Sequence, residues 1–66
     1  MDMYELRIKE LRKIKKLTQK QLAEQIGISR SFLGELENGK WDIGLTLLIK
    51  ISKALKVAPG KLVKYK

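Results

Sequence analysis

The chain has no cysteine and no histidine, and each absence removes a class of chemistry. Without cysteine there are no disulfides, no thiol nucleophiles and no thiolate-bound zinc. Without histidine the usual general base near neutral pH is missing as well. Neither enzymatic activity nor a metal or other cofactor is therefore expected. Proline occurs once, at Pro59. Repeats, linkers and low-complexity segments are missing, and so are the alternating β-branched runs joined by hairpin turns that mark strands. No stretch approaches the roughly 18–20 apolar residues needed to cross a bilayer, and "MDMYELRIKELRK" lacks the uncharged apolar run of a signal peptide. The expectation is a soluble, cytoplasmic protein with no membrane partner and no evident small-molecule ligand.

What the chain has in abundance is positive charge. Its 66 residues carry a formal net charge of +8, and after Asp42 the sequence contains Lys50, Lys53, Lys56, Lys61, Lys64 and Lys66 but no acidic side chain. Such a balance favours a polyanionic partner. The length allows one domain, residues 1–66, with a core small enough that completion by a partner subunit is reasonable.

Periodicity and capping divide the chain into helices. Along "MYELRIKELRKIKK" the residues Tyr4, Ile8 and Leu11 share one arc of a first helix that ends near Lys16. Thr18 and Gln21 have capping-box spacing, and Gly27 accepts the left-handed backbone of a helix end, which gives a second helix from about Gln19 to Ile26. Ser29 can cap a third helix that stops at Asn38 and Gly39. A fourth helix, roughly Leu45 to Lys56, is expected to bury Leu45, Leu48, Ile49, Ser52 and Leu55. Pro59 suits the first position of a short fifth helix carrying Leu62 and Val63.

The second and third helices form the informative pair. Ala23 is small enough to let two helices cross closely, Gly27 permits the turn between them, and Leu33 and Leu36 fill the angle. These offsets suit a helix-turn-helix better than an ordinary helical hairpin. At about 100° per residue, Phe32, Leu33 and Leu36 define the buried arc of the third helix. Ser31, Gly34 and Asn38 then point away, flanked by Arg30 and Glu35.

Through "LTQKQLAEQIGIS" (17–29), "LENGK" (36–40) and "LIKISKALKV" (48–57), the sequence resembles the Cro and phage-repressor type of helix-turn-helix domain, the XRE family. The resemblance runs without gaps from about Ile8 to Leu62. It implies an all-α fold, a compact five-helix domain like that of lambda repressor, with the third helix in the DNA major groove. By position it implies base contacts from Arg30, Ser31, Gly34 and Glu35, and phosphate contacts from Gln19, Ser29, Asn38 and Lys40. Arg30 is the leading base reader, because a guanidinium can donate two hydrogen bonds to a guanine edge.

Glutamates in such a surface need a reason. The family pairs the positions of Arg12 and Glu37 in a partly buried ion pair, so Glu37 is expected to tie the first helix to the recognition helix. Glu35 can accept a hydrogen bond from cytosine N4 and reject other bases, or it can turn to Arg30 or Lys40 and touch no base. The sequence departs from the family at Gly34, mid-helix, at Ile43, where proline is common, and at Trp41, in a loop position often basic. Trp41 can cover the core edge, lie against the sugar-phosphate backbone or join a partner subunit.

Leu47 falls off the expected apolar face of the fourth helix. With Pro59, Val63 and Tyr65 it can form an apolar patch at which two copies meet; Val57 and Leu62 are expected in the core. The combined expectation is a regulator that binds double-stranded DNA as a homodimer and reads an inverted repeat, acting as a repressor, since occupancy of an operator suffices to exclude polymerase. The alternative is an antitoxin-like or protein-interaction module whose DNA binding is secondary.

Overall fold

Single side chains set the boundaries of the central helices in a computed structural model that describes residues 4–65. Helix α1 spans Ile8–Ile14, α2 spans Gln19–Ile26, α3 spans Arg30–Glu37 and α4 spans Leu45–Leu55. At the start of α2, Gln21 N donates to Thr18 Oγ1 (3.0 Å) while Thr18 N donates to Gln21 Oε1 (2.8 Å), a reciprocal capping box. The helix ends on Gly27, at φ 78° and ψ 32°, where a Cβ would be strained. Ser29 caps α3 by accepting from Phe32 N at 3.0 Å. Only two residues, Ile28 and Ser29, separate the end of the α2 cap from the first turn of α3, so the two helices must meet at a corner.

That corner is filled from both sides. Leu22, Ala23 and Ile26 of α2, Leu33 and Leu36 of α3, and Ile51 and Leu55 of α4 are buried in one cluster with Ile8, Leu11 and Leu62. Ser52 is buried among them and satisfies its hydroxyl by donating to Ile49 O at 2.8 Å.

The two ends of the chain depart from expectation. Tyr4–Leu6, expected as the first turn of α1, form a strand β1 that pairs antiparallel with β2, Val63–Tyr65, in the register Tyr4 with Tyr65, Glu5 with Lys64 and Leu6 with Val63. Met3, the start of the expected helix, lies outside the described residues. The expected fifth helix is a 3-10 turn, Pro59–Leu62, with proline in its first turn. Among the described residues, four α-helices and a two-stranded sheet therefore replace the five-helix, all-α description. The physical reason lies in pairing across almost the whole chain. Arg7 N donates to Leu62 O at 2.8 Å, and each short segment gains backbone partners there that an isolated turn of helix could not provide. No local pattern reports such a partner.

Helix α4 is also turned about its axis relative to the expected face. Ile51 is fully buried beside Ser52 and Leu55, whereas Leu45 is 70% exposed and Ile49 is exposed too. Leu47, expected to point outward, is half-buried and packs on the core. Five apolar residues at Leu45, Leu47, Leu48, Ile49 and Ile51 fit more than one stripe, and the positions of α2 and the 3-10 turn select among them.

The rotation of α4 has a measurable consequence. Ile51→Ala should lower the unfolding free energy by about 2–5 kcal/mol, and Leu45→Ala by less than about 0.5 kcal/mol. Urea denaturation of both variants gives the comparison; equal losses would restore the expected face.

Candidate nucleic-acid interface

With Leu33 and Leu36 committed to the core, α3 presents its opposite side to solvent. Arg30 and Ser31, in its first turn, are exposed, Gly34 and Glu35 are half-exposed, and Asn38 at its C-cap is exposed. Gln19, at the first position of α2, comes alongside: a Cβ built on Gly34 would lie 3.7 Å from Gln19 Nε2, ordinary van der Waals contact. The surface therefore joins two helix starts, Gln19 and Arg30, to the middle of α3. Lys40 and Ser29 are exposed at its margins.

This surface rests on a buried ionic network. Arg12 Nε donates to Glu37 Oε2 at 2.6 Å and its Nη2 to Oε1 at 3.3 Å, while Nη1 donates to Leu17 O at 2.9 Å. The Glu37 side chain is 1% exposed and that of Arg12 9%. Gln19 Nε2 completes the set by donating to Glu37 Oε1 at 2.9 Å. One carboxylate thus holds α1, the start of α2 and the end of α3. The Gln19 bond gives that residue, named above for phosphate contact, a structural partner of its own. The capping box of Thr18 and Gln21 around it was legible in the sequence, but the bond of Gln19 to Glu37 was not, because it depends on where α3 ends in space.

Glu35 has neighbours of a different kind. Trp41 Nε1 donates to Glu35 Oε1 at 2.7 Å, and Lys40 Nζ lies 3.6 Å from Oε2. The Trp41 hydrogen bond, aided by the charge of Lys40 and opposed by partial desolvation, holds the Glu35 carboxyl below the ordinary glutamate range. Glu35 is therefore a carboxylate at neutral pH with one oxygen fixed by the loop. Trp41 is 52% exposed, and its indole N–H is taken up by Glu35. Arg30 makes no ion pair with Glu35 among the described residues.

The residues expected at a subunit interface are more dispersed. Tyr65 is 83% exposed, Pro59 is exposed, Val63 is half-buried, and Leu47 faces the core. Tyr4, paired with Tyr65, donates from its hydroxyl to Asp42 at 3.2 Å, which brings the sheet to the end of the molecule where α4 begins. Leu45 and Ile49, which the sequence pattern placed inside, are exposed on that helix.

Comparison with known proteins agrees with this geometry. A family model described as helix-turn-helix matches residues 8–62. The chain is 40% identical over 57 residues to the immunity repressor protein of Bacillus phage phi105, covering 86% of this chain but only 40% of that repressor's length. The restriction-modification controller protein C.AhdI of Aeromonas hydrophila superposes with a TM-score of 0.79 at 36% identity, over 83% of each chain. SinR, the master regulator for biofilm formation, known from Bacillus subtilis, was solved in complex with DNA. It matches at a TM-score of 0.76 and 33% identity, over 82% of this chain and 87% of SinR's.

Two measurements test the electrostatics. Arg12→Met or Glu37→Leu alone should destabilise the domain by about 3–5 kcal/mol, and the double variant by clearly less than the sum, because neither then leaves an uncompensated buried charge. Trp41 fluorescence should report Glu35. Because the carboxyl titrates low, its bond to Trp41 is complete above the ordinary glutamate range and is lost as pH falls through the lower folded value. The transition should lie below that ordinary range and vanish in Glu35→Gln.

Proposed function

The chain belongs to the helix-turn-helix family, and from that premise we propose that it is a sequence-specific regulator of transcription that binds double-stranded DNA, with repression as its mode. The supporting observation is the outward-facing start of α3: Arg30 and Ser31 are solvent-exposed on a helix capped at Ser29 and anchored at Glu37. A protruding helix of this kind fits the major groove. In this reading Arg30, Ser31, Gly34 and Glu35 face base edges, and Gln19, Ser29, Asn38 and Lys40 hold the sugar-phosphate backbone. The N-terminal amides of α2 and α3 favour an anion at the same places. Glu35, held ionised by Trp41, is suited to accept from cytosine and to disfavour other bases.

The domain's longest dimension is 30 Å, shorter than the about 34–36 Å that separates successive major-groove half-sites. One copy can thus read one half-site, and a symmetric homodimer reading an inverted repeat follows as the second part of the proposal. The exposed Tyr65, with Pro59 and Val63 beside it in the chain, supports a contact at the C-terminal end. Leu45 and Ile49 are better candidates there than Leu47, whose side chain the monomer's core already uses. The same exposed apolar residues would serve the second reading, an antitoxin-like module that captures another protein. Occupancy of an operator in the cytoplasm is enough for repression, and the relatives named as a repressor and a restriction-modification controller agree with that role.

Selection of bound duplexes from a random pool, with stoichiometry measured on the winners, tests the whole reading. The expected result is a palindromic site bound by two copies, with log K falling linearly against log salt at about 0.9 per neutralised phosphate. Arg30→Ala should relax preference at one base pair per half-site, with a cost of about 1–3 kcal/mol there. A protein that selects no sequence, or whose Arg30→Ala variant keeps the full preference, contradicts it.

A further inference from the structure

The loop between α3 and α4 is joined to the rest of the molecule through two neighbouring side chains that serve different elements. Trp41 Nε1 donates to Glu35 Oε1 on α3 at 2.7 Å, and Asp42 Oδ1 accepts from the Tyr4 hydroxyl on β1 at 3.2 Å. The next residue, Ile43, packs against the core. Ahead of them the backbone is tied back to α3, where Gly39 N donates to Leu36 O at 3.1 Å and Lys40 N to Glu35 O at 3.0 Å. Trp41 therefore sits on a segment held from both ends. The two oxygens of Glu35 are unequal as a result. Oε1 is engaged at the short distance of a charge-assisted hydrogen bond. Oε2 lies 3.6 Å from Lys40 Nζ, beyond hydrogen-bond length, and the Lys40 side chain is 63% exposed.

We infer that Trp41 is a specificity-positioning residue: by pinning Oε1 of Glu35 it leaves Oε2 as the one oxygen that accepts from a base edge, with Asp42 and Tyr4 holding Trp41 in place. The inference rests on the DNA-binding reading and extends it to residues outside the helix-turn-helix itself. Its chemistry lies in the donors of the major groove. Guanine N7 and O6 and thymine O4 are acceptors, which a carboxylate repels, but both cytosine N4 and adenine N6 donate there. A freely turning carboxylate accepts from either. The two amino groups occupy different places along the base edge, so an oxygen of fixed direction separates cytosine from adenine where a mobile one does not. A side chain fixed before contact also loses less freedom on binding. Lys40, assigned above to a phosphate, releases Oε2 when it moves there, while Trp41 keeps Oε1.

The test compares the full chain with Trp41→Phe, which keeps an aromatic ring in the loop but removes the N–H donor, and with Tyr4→Phe, which removes only the hydroxyl. Probes are a duplex selected by the parent protein from a random pool and versions of it changed at single base pairs. The pair read by Glu35 is the one whose preference is lost in Glu35→Ala, and that read by Arg30 is the one lost in Arg30→Ala. At the Glu35 pair, Trp41→Phe should lower the preference for cytosine over adenine by about three- to tenfold. Tyr4→Phe should lower it by less, and both should keep the preference at the Arg30 pair. Adding Trp41→Phe to Glu35→Ala should change nothing further at the Glu35 pair, since the carboxylate it positions is gone. A Trp41→Phe protein that keeps the parent's cytosine preference overturns the inference. So does one that weakens every duplex equally, as an indole lying on the sugar-phosphate backbone requires, or one that loses preference at the Arg30 pair as well, as a general loosening of α3 requires. Parent preference in Tyr4→Phe overturns the part assigned to Asp42 and Tyr4. A parent that reads a base through Arg30 but shows no preference at any Glu35-dependent pair overturns this inference alone, and one that selects no sequence overturns the DNA-binding reading with it.

Discussion

The position of α3 depends on a single carboxylate. Glu37 accepts three hydrogen bonds, two from Arg12 and one from Gln19, and the third guanidinium nitrogen of Arg12, Nη1, donates to Leu17 O in the turn between α1 and α2. A buried ion pair adds little net stability compared with apolar residues of the same shape, because desolvating two charges costs about what their attraction returns. What it supplies is direction. A bidentate guanidinium–carboxylate contact has one good geometry, so the end of α3 is held at a set position against α1 while Ser29 holds its start. Apolar packing between Leu33, Leu36 and α2 is less directional and would leave the helix freer to slide.

That constraint explains how a basic protein can keep glutamates near a polyanion. Glu37 is turned inward and neutralised, so its charge does not face solvent. Glu35 is partly exposed, but Trp41 and Lys40 hold it, which limits its repulsion and fixes the oxygen it can offer. The cations are distributed by the opposite logic. Arg12 is consumed by the structure, whereas Arg30 and the lysines of the α1–α2 turn remain unpaired among the described residues. Exposed cations without an ion pair among the described residues thus lie in the turn after α1 as well as in the lysine-rich C-terminal half.

The sheet has a structural role suited to so short a chain. A domain of this size buries too little surface to leave its ends loose without cost. Pairing β1 with β2 ties residues from opposite ends of the chain, and the Arg7–Leu62 hydrogen bond continues that tie up to the first turn of α1. The same pairing holds the C-terminal strand near the start of α4, where Leu45 and Ile49 are exposed.

Local chemistry was enough to place α2, α3 and their caps from the sequence alone. Thr18 with Gln21, Gly27, and Ser29 each act within three or four residues, and the burial of Leu33 and Leu36 follows from helical periodicity once those ends are known. Placing Arg30 and Ser31 outside needs no more than that. Tertiary structure decided everything that depends on a partner distant in sequence. It converted the expected first turn of α1 into a strand and the expected fifth helix into a 3-10 turn that leads into the partner strand, turned α4 so that Ile51 rather than Leu45 is inside, joined Trp41 to Glu35 and Gln19 to Glu37, and assembled one cationic groove from α1, α2 and α3. The division has a simple cause: capping and periodicity are properties of neighbouring residues, whereas a strand partner, a helix rotation or a groove exists only after separate segments have packed together.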